Sequence, residues 1–230
     1  MKHPDHDLDP RGDGAAELED DLACLDPGLE SLCPEVGLSV RQGWVCALTA
    51  YARLLFRWSN RMNLIAPGDR ARLASRHLMP SLALRPAIVS RQHACVLDVG
   101  SGAGLPGIPL KITLPESTFI LLESRRRRTS FLHQVVRHLS LTKTEIVHSR
   151  LEDWPGSDLP IDIAVTRATM APPDLLTMVS PCLPRHGVIV TTLPAQADAT
   201  SLPRLLSDET VGGSWGERRV TVLDPFHQRG

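Results

Sequence analysis

Apolar positions along this 230-residue chain change period near its middle. Trp44, Ala47, Leu48, Tyr51, Leu54, Leu55 and Trp58 recur at i, i+3, i+4 spacing behind Ser39 and Gln42, which have the spacing of a capping box. This predicts an amphipathic helix over roughly 40–59 with a buried aromatic stripe. Leu22, Leu25, Leu29 and Leu32 predict a short helix before it, and a basic stretch with Arg70, Arg72, Arg76 and His77 reads as helical into Leu84. From Cys95 onward short apolar runs alternate with helical periods. Strands are predicted at 95–99, 118–122, 144–148, 161–166 and 187–193, and helices from about 106, over 126–139 and over 172–181. Phe131, Leu132, Val135, Val136 and Leu139 form the stripe of the second of these helices. Such alternation predicts an α/β fold, a mostly parallel sheet with helices on both faces. The expected organisation is a disordered acidic leader over 1–20, a helical extension over 21–94 and an α/β domain over 95–230.

Composition narrows the class. With 42% apolar and 22% charged residues the chain can bury one substantial core. No apolar run reaches the ~18 residues of a membrane span, and the polar, acidic start is unlike a signal peptide, so a cytoplasmic protein is expected. Five widely spaced cysteines without a Cys-x-x-Cys suggest neither a disulfide framework nor a zinc site. The nine histidines form no His-Glu-x-x-His, and no metal is expected. The net charge of −1 hides an asymmetry, because residues 1–35 hold eleven acids against Lys2 and Arg11. The body that follows is basic, which suits a polyanionic partner.

The densest chemistry lies in Val96-Leu97-Asp98-Val99-Gly100-Ser101-Gly102-Ala103-Gly104-Leu105-Pro106-Gly107. Four glycines in eight residues after a buried strand let the main chain turn sharply and meet a ligand where a Cβ would collide. Pro106 and Pro109 fit the first turn of the helix that follows, whose N–H groups lack intrahelical acceptors. Residues 102–107 also satisfy the dinucleotide fingerprint G-x-G-x-x-G. Asp98 and Gly100 instead extend the motif to Asp-x-Gly-x-Gly-x-Gly, which favours S-adenosylmethionine as the cofactor, and nearly a hundred residues precede the strand where a dinucleotide domain would begin with it. Glu123, about 20 residues past the loop at the end of the next strand, is placed to accept hydrogen bonds from ribose hydroxyls. Arg125, Arg126, Arg127 and Arg128 follow on the ligand-binding edge as candidates for phosphate contact.

With these residues in place the chain resembles the bacterial 16S rRNA guanine-N7 methyltransferases, also called glucose-inhibited division protein B. The resemblance runs from about Leu25 to Pro225. It rests on residues 58–64 (Trp-Ser-Asn-Arg-Met-Asn-Leu), Arg76-His77-Leu78, the block Leu97 to Pro109, Glu123-Ser124-Arg125 with Phe131-Leu132, Ser149-Arg150-Leu151-Glu152 and Thr166-Arg167-Ala168. It implies a class I S-adenosylmethionine-dependent methyltransferase domain with a helical N-terminal extension, acting on a guanine in the decoding-region loop of small-subunit rRNA. By position it places Gly100 and Leu105 along the cofactor, Leu151 and Glu152 at the adenine, and Arg167 at the mouth, beside the Asp98, Gly102 and Gly104 already read from the loop motif. Arg76, His77 and the arginine run are the expected grips on flanking phosphates, and a monomer is expected.

Three departures from the family pattern fall outside the cofactor blocks. Pro80 stands where an Asp is usual, Thr191-Thr192-Leu193-Pro194 replaces a Lys-Gly pair, and the chain stops just past Pro225, where a final strand is usual. They motivate a rival reading, a non-catalytic cofactor-binding RNA-binding or ribosome-assembly protein. A third reading, a NAD-dependent oxidoreductase, lacks a catalytic Tyr-Lys pair, since Tyr51 is the sole tyrosine and lies far upstream in sequence. In the methyltransferase reading guanine N7 carries a lone pair and no proton, so no general base is required and positioning supplies the rate. The target base must lie in a loop or be extruded, because N7 faces the deep groove of A-form RNA.

Overall fold

The computed structural model describes residues 14–89, 91, 94–167, 172–194, 205–213 and 215–226. The extension comprises α1 (Ala15–Leu22), α2 (Leu25–Leu32), α3 (Leu38–Met62), a 3-10 turn (Pro67–Arg72), a π-helical turn (Ala74–Leu78), α4 (Met79–Leu82) and α5 (Arg85–Val89). The sheet contains β1 (Cys95–Val99), β2 (Thr118–Leu122), β3 (Thr144–Val147), β4 (Ile163–Thr166), β5 (Val188–Pro194), β6 (Leu205–Gly213) and β7 (Gly216–Leu223), with α6 (Gly107–Thr113), α7 (Arg126–His138) and α8 (Pro172–Val179) between them. Strand order is β3-β2-β1-β4-β5-β7-β6. The first five strands run parallel and β7 pairs antiparallel with both β5 and β6.

Side-chain alternation along the central strands divides the interior in two. Val96, Phe119, Leu121, Ile163 and Val165 join the larger core, shared with α3, α6, α7 and the rest of the extension. Leu97, Val99, Ile120, Leu122 and Ala164 join the smaller one beneath α8. Because the larger core runs unbroken from Leu18 to Val220, the extension packs as part of the same body as the sheet. Trp58 meets Phe131 with ring centroids 6.0 Å apart, fastening α3 to α7.

Four expectations need correction. The acidic leader, expected to be disordered through residue 20, is helical over residues 15–20, where Leu18 is buried and Glu19 holds Arg53 at 2.6 Å; residues 1–13 lie outside the described residues. The helix expected through Leu32 is two helices, with Pro27 in the first turn of the second, where its missing N–H costs nothing. The capping box does not form: α3 begins at Leu38 on an extended Gly37, which puts Ser39 inside the helix. Finally, a last strand is present, because β6 and β7 form a hairpin that completes a seven-stranded sheet. β6 eludes hydrophobic patterning because it is an edge strand, with Asp208 and Glu209 facing water and Asp208 paired to Arg219 of β7 at 3.2 Å.

Candidate cofactor site

Register brings three parallel strands to one edge. Asp98 lies beside Leu121 of β2 and Val165 of β4, so the loop after β1, Glu123 after β2 and Arg167 after β4 converge beyond the carboxyl ends of the strands. In open α/β sheets this crevice is where ligands bind.

The loop is shaped from beneath by Asp98. Sharing its parity with Val96, it faces the larger core, fully buried, and its Oδ2 accepts the N–H of Gly107 at 3.0 Å. A Cβ at Gly107 would lie 2.5 Å from that oxygen, so only glycine lets the start of α6 sit on the carboxylate. Oδ1 is buried with no hydrogen-bond partner, and burial pushes the Asp98 carboxyl up to about 7. Above it Gly100, Gly102 and Gly104 take left-handed φ values of 69°, 58° and 90°. At Gly104 a side chain would be doubly excluded, by that φ and by Ile108, whose Cγ1 would lie 2.5 Å from a Cβ. The three left-handed glycines thus follow directly on a strand whose Asp98 carboxyl is fully buried.

Glu123, nearly buried, ties the loop to the next element. Its Oε2 accepts the N–H of Gly102 at 2.8 Å and its Oε1 that of Arg125 at 2.8 Å, while the Arg128 guanidinium stands 3.7 Å away. Each carboxylate oxygen keeps a lone pair beyond these bonds. A cleft of about 470 Å³ opens beside the loop, lined by Val99, Gly100, Arg125, Leu151, Glu152 and Met178 among others. Gly100, Leu151 and Glu152 thus share the lining of one cleft. Leu105 is buried in the larger core beside the loop.

Arg167 closes the opposite side. Its guanidinium donates to the main-chain oxygen of His77 at 3.1 Å and to His77 Nδ1 at 2.8 Å. Burial, then the neighbouring Arg167 charge, lowers the His77 pKa to about 4, so the ring is neutral. Its Nε2 faces Asp69 at 3.5 Å, and Asp69 in turn pairs with Arg76.

Comparison with known proteins decides what this edge belongs to. The model of the rRNA small subunit methyltransferase G family (GidB) matches residues 45–202. The enzyme of that name from Escherichia fergusonii is 34% identical over 206 residues, covering 86% of this chain and 97% of its own, and that from Marinobacter nauticus is 35% identical over 199, covering 82% and 89%. The chain belongs to the rRNA small subunit methyltransferase G family. Among solved structures, TrmN from Thermus thermophilus superposes with a TM-score of 0.52 at 20% identity over 65% of this chain and 49% of its own. Magnesium protoporphyrin IX methyltransferase (ChlM) from Synechocystis PCC 6803, solved with bound S-adenosylmethionine, gives 0.52 at 10% identity over 75% and 95%. These two show the fold alone, that of the class I methyltransferases. As a member of this family the protein is an S-adenosylmethionine-dependent rRNA methyltransferase, and the dinucleotide reading of its glycines lapses.

Within this methyltransferase the candidate phosphate grips divide. Arg125, Arg126 and Arg127 are exposed at the start of α7, whereas Arg128 leans back over Gly102 toward Glu123. Arg76 is half exposed beside Asp69, but the His77 ring is turned inward onto Arg167. The departures are accommodated: Pro80 sits in the first turn of α4, and Thr191 in β5 donates to the Thr166 carbonyl at 3.1 Å, bracing the end of β4 just before Arg167. Sequence reasoning missed Tyr51. Assigned to the core stripe of α3, it is fully buried, yet its hydroxyl donates to the Ala103 carbonyl at 2.6 Å, in the middle of the glycine loop. A buried tyrosine hydroxyl needs a partner, and that need was the available signal. Among the described residues no cluster of His, Cys, Asp or Glu could hold a metal, and no helix is long and apolar enough to cross a membrane.

Proposed function

We propose that this methyltransferase modifies N7 of a guanine in 16S rRNA, in the decoding-region loop of the small ribosomal subunit, and that it works in the cytoplasm as a monomer. The observation that carries the N7 reading is the condition of the ionisable groups around the loop. Asp98 and Tyr51 are buried beneath and behind it, His77 is committed to Arg167, and Glu123 is held by two main-chain N–H groups. Asp98, Tyr51 and His77 are thus not placed to take a proton from a substrate, the lone pairs left on Glu123 are assigned to the cofactor's sugar, and N7 has no proton to give.

When bound, S-adenosylmethionine supplies an electrophilic methyl on a positively charged sulfur. Gly100, Gly102 and Gly104 would admit it to the main chain, Asp98 would set negative charge under its cationic end, and Leu151 and Glu152 would flank its adenine. Glu123 would hold its sugar hydroxyls through the lone pairs left free, and Leu105 and Arg167 would complete the walls. Arg76, Arg125, Arg126 and Arg127 are the exposed side chains suited to RNA phosphates, and they would hold the base near the cradle while water is excluded.

The departures at Pro80 and residues 191–194, which motivated the rival reading of a cofactor-binding assembly protein without turnover, are absorbed by the first turn of α4 and by β5 and no longer favour it. Mapping N7-methylguanine in 16S rRNA from cells with and without the gene tests the assignment of the target. Loss of one modified guanine in the deletion strain, restored by the wild-type gene, is expected. An unchanged map would overturn the assignment to N7 of a 16S rRNA guanine.

A further inference from the structure

Both flanks of the cradle are held by residues from outside the sheet. On one flank, Tyr51 of α3 reaches across 52 residues of sequence to the Ala103 carbonyl. That carbonyl lies between two left-handed glycines, and the Tyr51 oxygen would stand 3.2 Å from a Cβ on Gly104. A glycine-rich loop has many accessible shapes and loses much entropy when held in one. A single donor on a rigid, buried side chain selects among them. Burial raises the Tyr51 pKa far above its ordinary value, so the hydroxyl stays a donor at every working pH.

On the other flank, Arg167 can only donate, so His77 must present an acceptor at Nδ1 and carry its proton on Nε2, toward Asp69. The turn bearing His77 is fixed in its own right. Asp21 of α1 accepts the N–H groups of Ala74 at 2.6 Å and Ser75 at 3.2 Å, and also bonds the Ser75 hydroxyl. A rigid chain of contacts therefore runs from α1 through the turn to Arg167, matched by the one from α3 to Ala103.

We propose that Tyr51 and His77 are positioning residues through which the helical extension sets the shape of the glycine loop and the aim of Arg167, making cofactor affinity a joint property of extension and sheet. The proposal rests on reading this edge as the cofactor site. It also assigns His77 a task other than gripping phosphate.

The test is calorimetric titration of the full chain with S-adenosylmethionine. Tyr51→Phe removes one oxygen and leaves the Ala103 carbonyl unmet, so Kd is expected to rise about tenfold. His77→Leu should raise it by a similar factor, whereas His77→Asn, which returns an acceptor near Nδ1, should stay within about threefold of wild type. Binding of 16S rRNA should be unchanged in all three. Leu29→Ala truncates the core of α2 away from the loop, so it should lower the melting temperature and leave Kd alone. Wild-type Kd in Tyr51→Phe and His77→Leu, or an equal rise in Leu29→Ala, would overturn the proposal. Glu152→Lys, an exposed change in the cleft wall, keeps the two readings apart. If it leaves binding intact, the site assignment fails; if it weakens binding while Tyr51→Phe is silent, only the positioning role fails.

Discussion

Asp98 shows how this site trades stability for function. Its carboxyl, ordinarily near 3.8, is pushed to about 7 by burial, against the smaller opposing pulls of Ser101, Gly107 and Arg167. A carboxyl raised in the folded state stabilises the fold fully below its ordinary value, and that contribution is lost as pH climbs through about 7. The upper bound of the loss is about 4 kcal/mol. An asparagine side chain in its place would stay neutral throughout. Asp98→Asn should therefore melt above wild type at pH 8, with the gap shrinking toward pH 5, while S-adenosylmethionine binds the variant more weakly because the negative charge is gone. Thermal melts at the two pH values and one titration measure this. A gap that stays constant with pH would mean that Asp98 does not titrate in this range.

At the level of elements, the joint between β1 and α6 has no slack. A Cβ at Gly107 would meet Asp98 Oδ2 at 2.5 Å and Leu121 Cδ2 at 2.6 Å, neither of which can retreat. Gly107→Ala should cost about 1–3 kcal/mol, read as a lower urea midpoint at unchanged slope, and should weaken cofactor binding as α6 lifts from the loop. An unchanged midpoint would mean that α6 can shift freely on the strand. The same joint shows why part of the fold was legible. β1, β2 and β4 are buried on both faces, so they are written as near-continuous apolar runs, with Asp98 the polar exception inside β1, and the glycines between strand and helix mark the loop unmistakably. α1 and β6 were not legible because each has at most a narrow buried side, and two leucines or a polar edge carry too weak a period. At the site, Asp98 and the glycines stood out because one local motif holds them, and Glu123 because it closes the next apolar run. The pairing of His77 with Arg167 across 90 residues could not, because nothing local to either residue encodes the partner.

Over the whole molecule, the fold sorts the charge that the sequence merely separates. The acids near the N-terminus face arginines of the extension: Glu19 pairs with Arg53, Asp26 and Glu30 with Arg41, and Glu35 with Arg85, at 2.6–3.3 Å. These acids balance the extension's own bases. Among the described residues Arg125, Arg126 and Arg127 have no such ion pair, so positive charge remains uncompensated at the cleft edge and at the N-terminus of α7. Each phosphate that such an arginine neutralises releases a counterion and steepens the salt dependence of RNA binding. Arg126→Gln with Arg127→Gln should therefore weaken binding of 16S rRNA and flatten the plot of log K against log salt by roughly 0.7 to 0.9 per arginine between about 50 and 200 mM, with S-adenosylmethionine affinity unchanged. Arg128→Gln should do the reverse, since its guanidinium stands against Glu123 and the loop. It should weaken cofactor binding and leave the salt slope in place. Filter binding over a salt series, with one calorimetric titration per variant, distinguishes the two patterns. If Arg128→Gln flattens the slope as the other pair does, the four arginines form one electrostatic strip and the division of the run between RNA and cofactor is wrong.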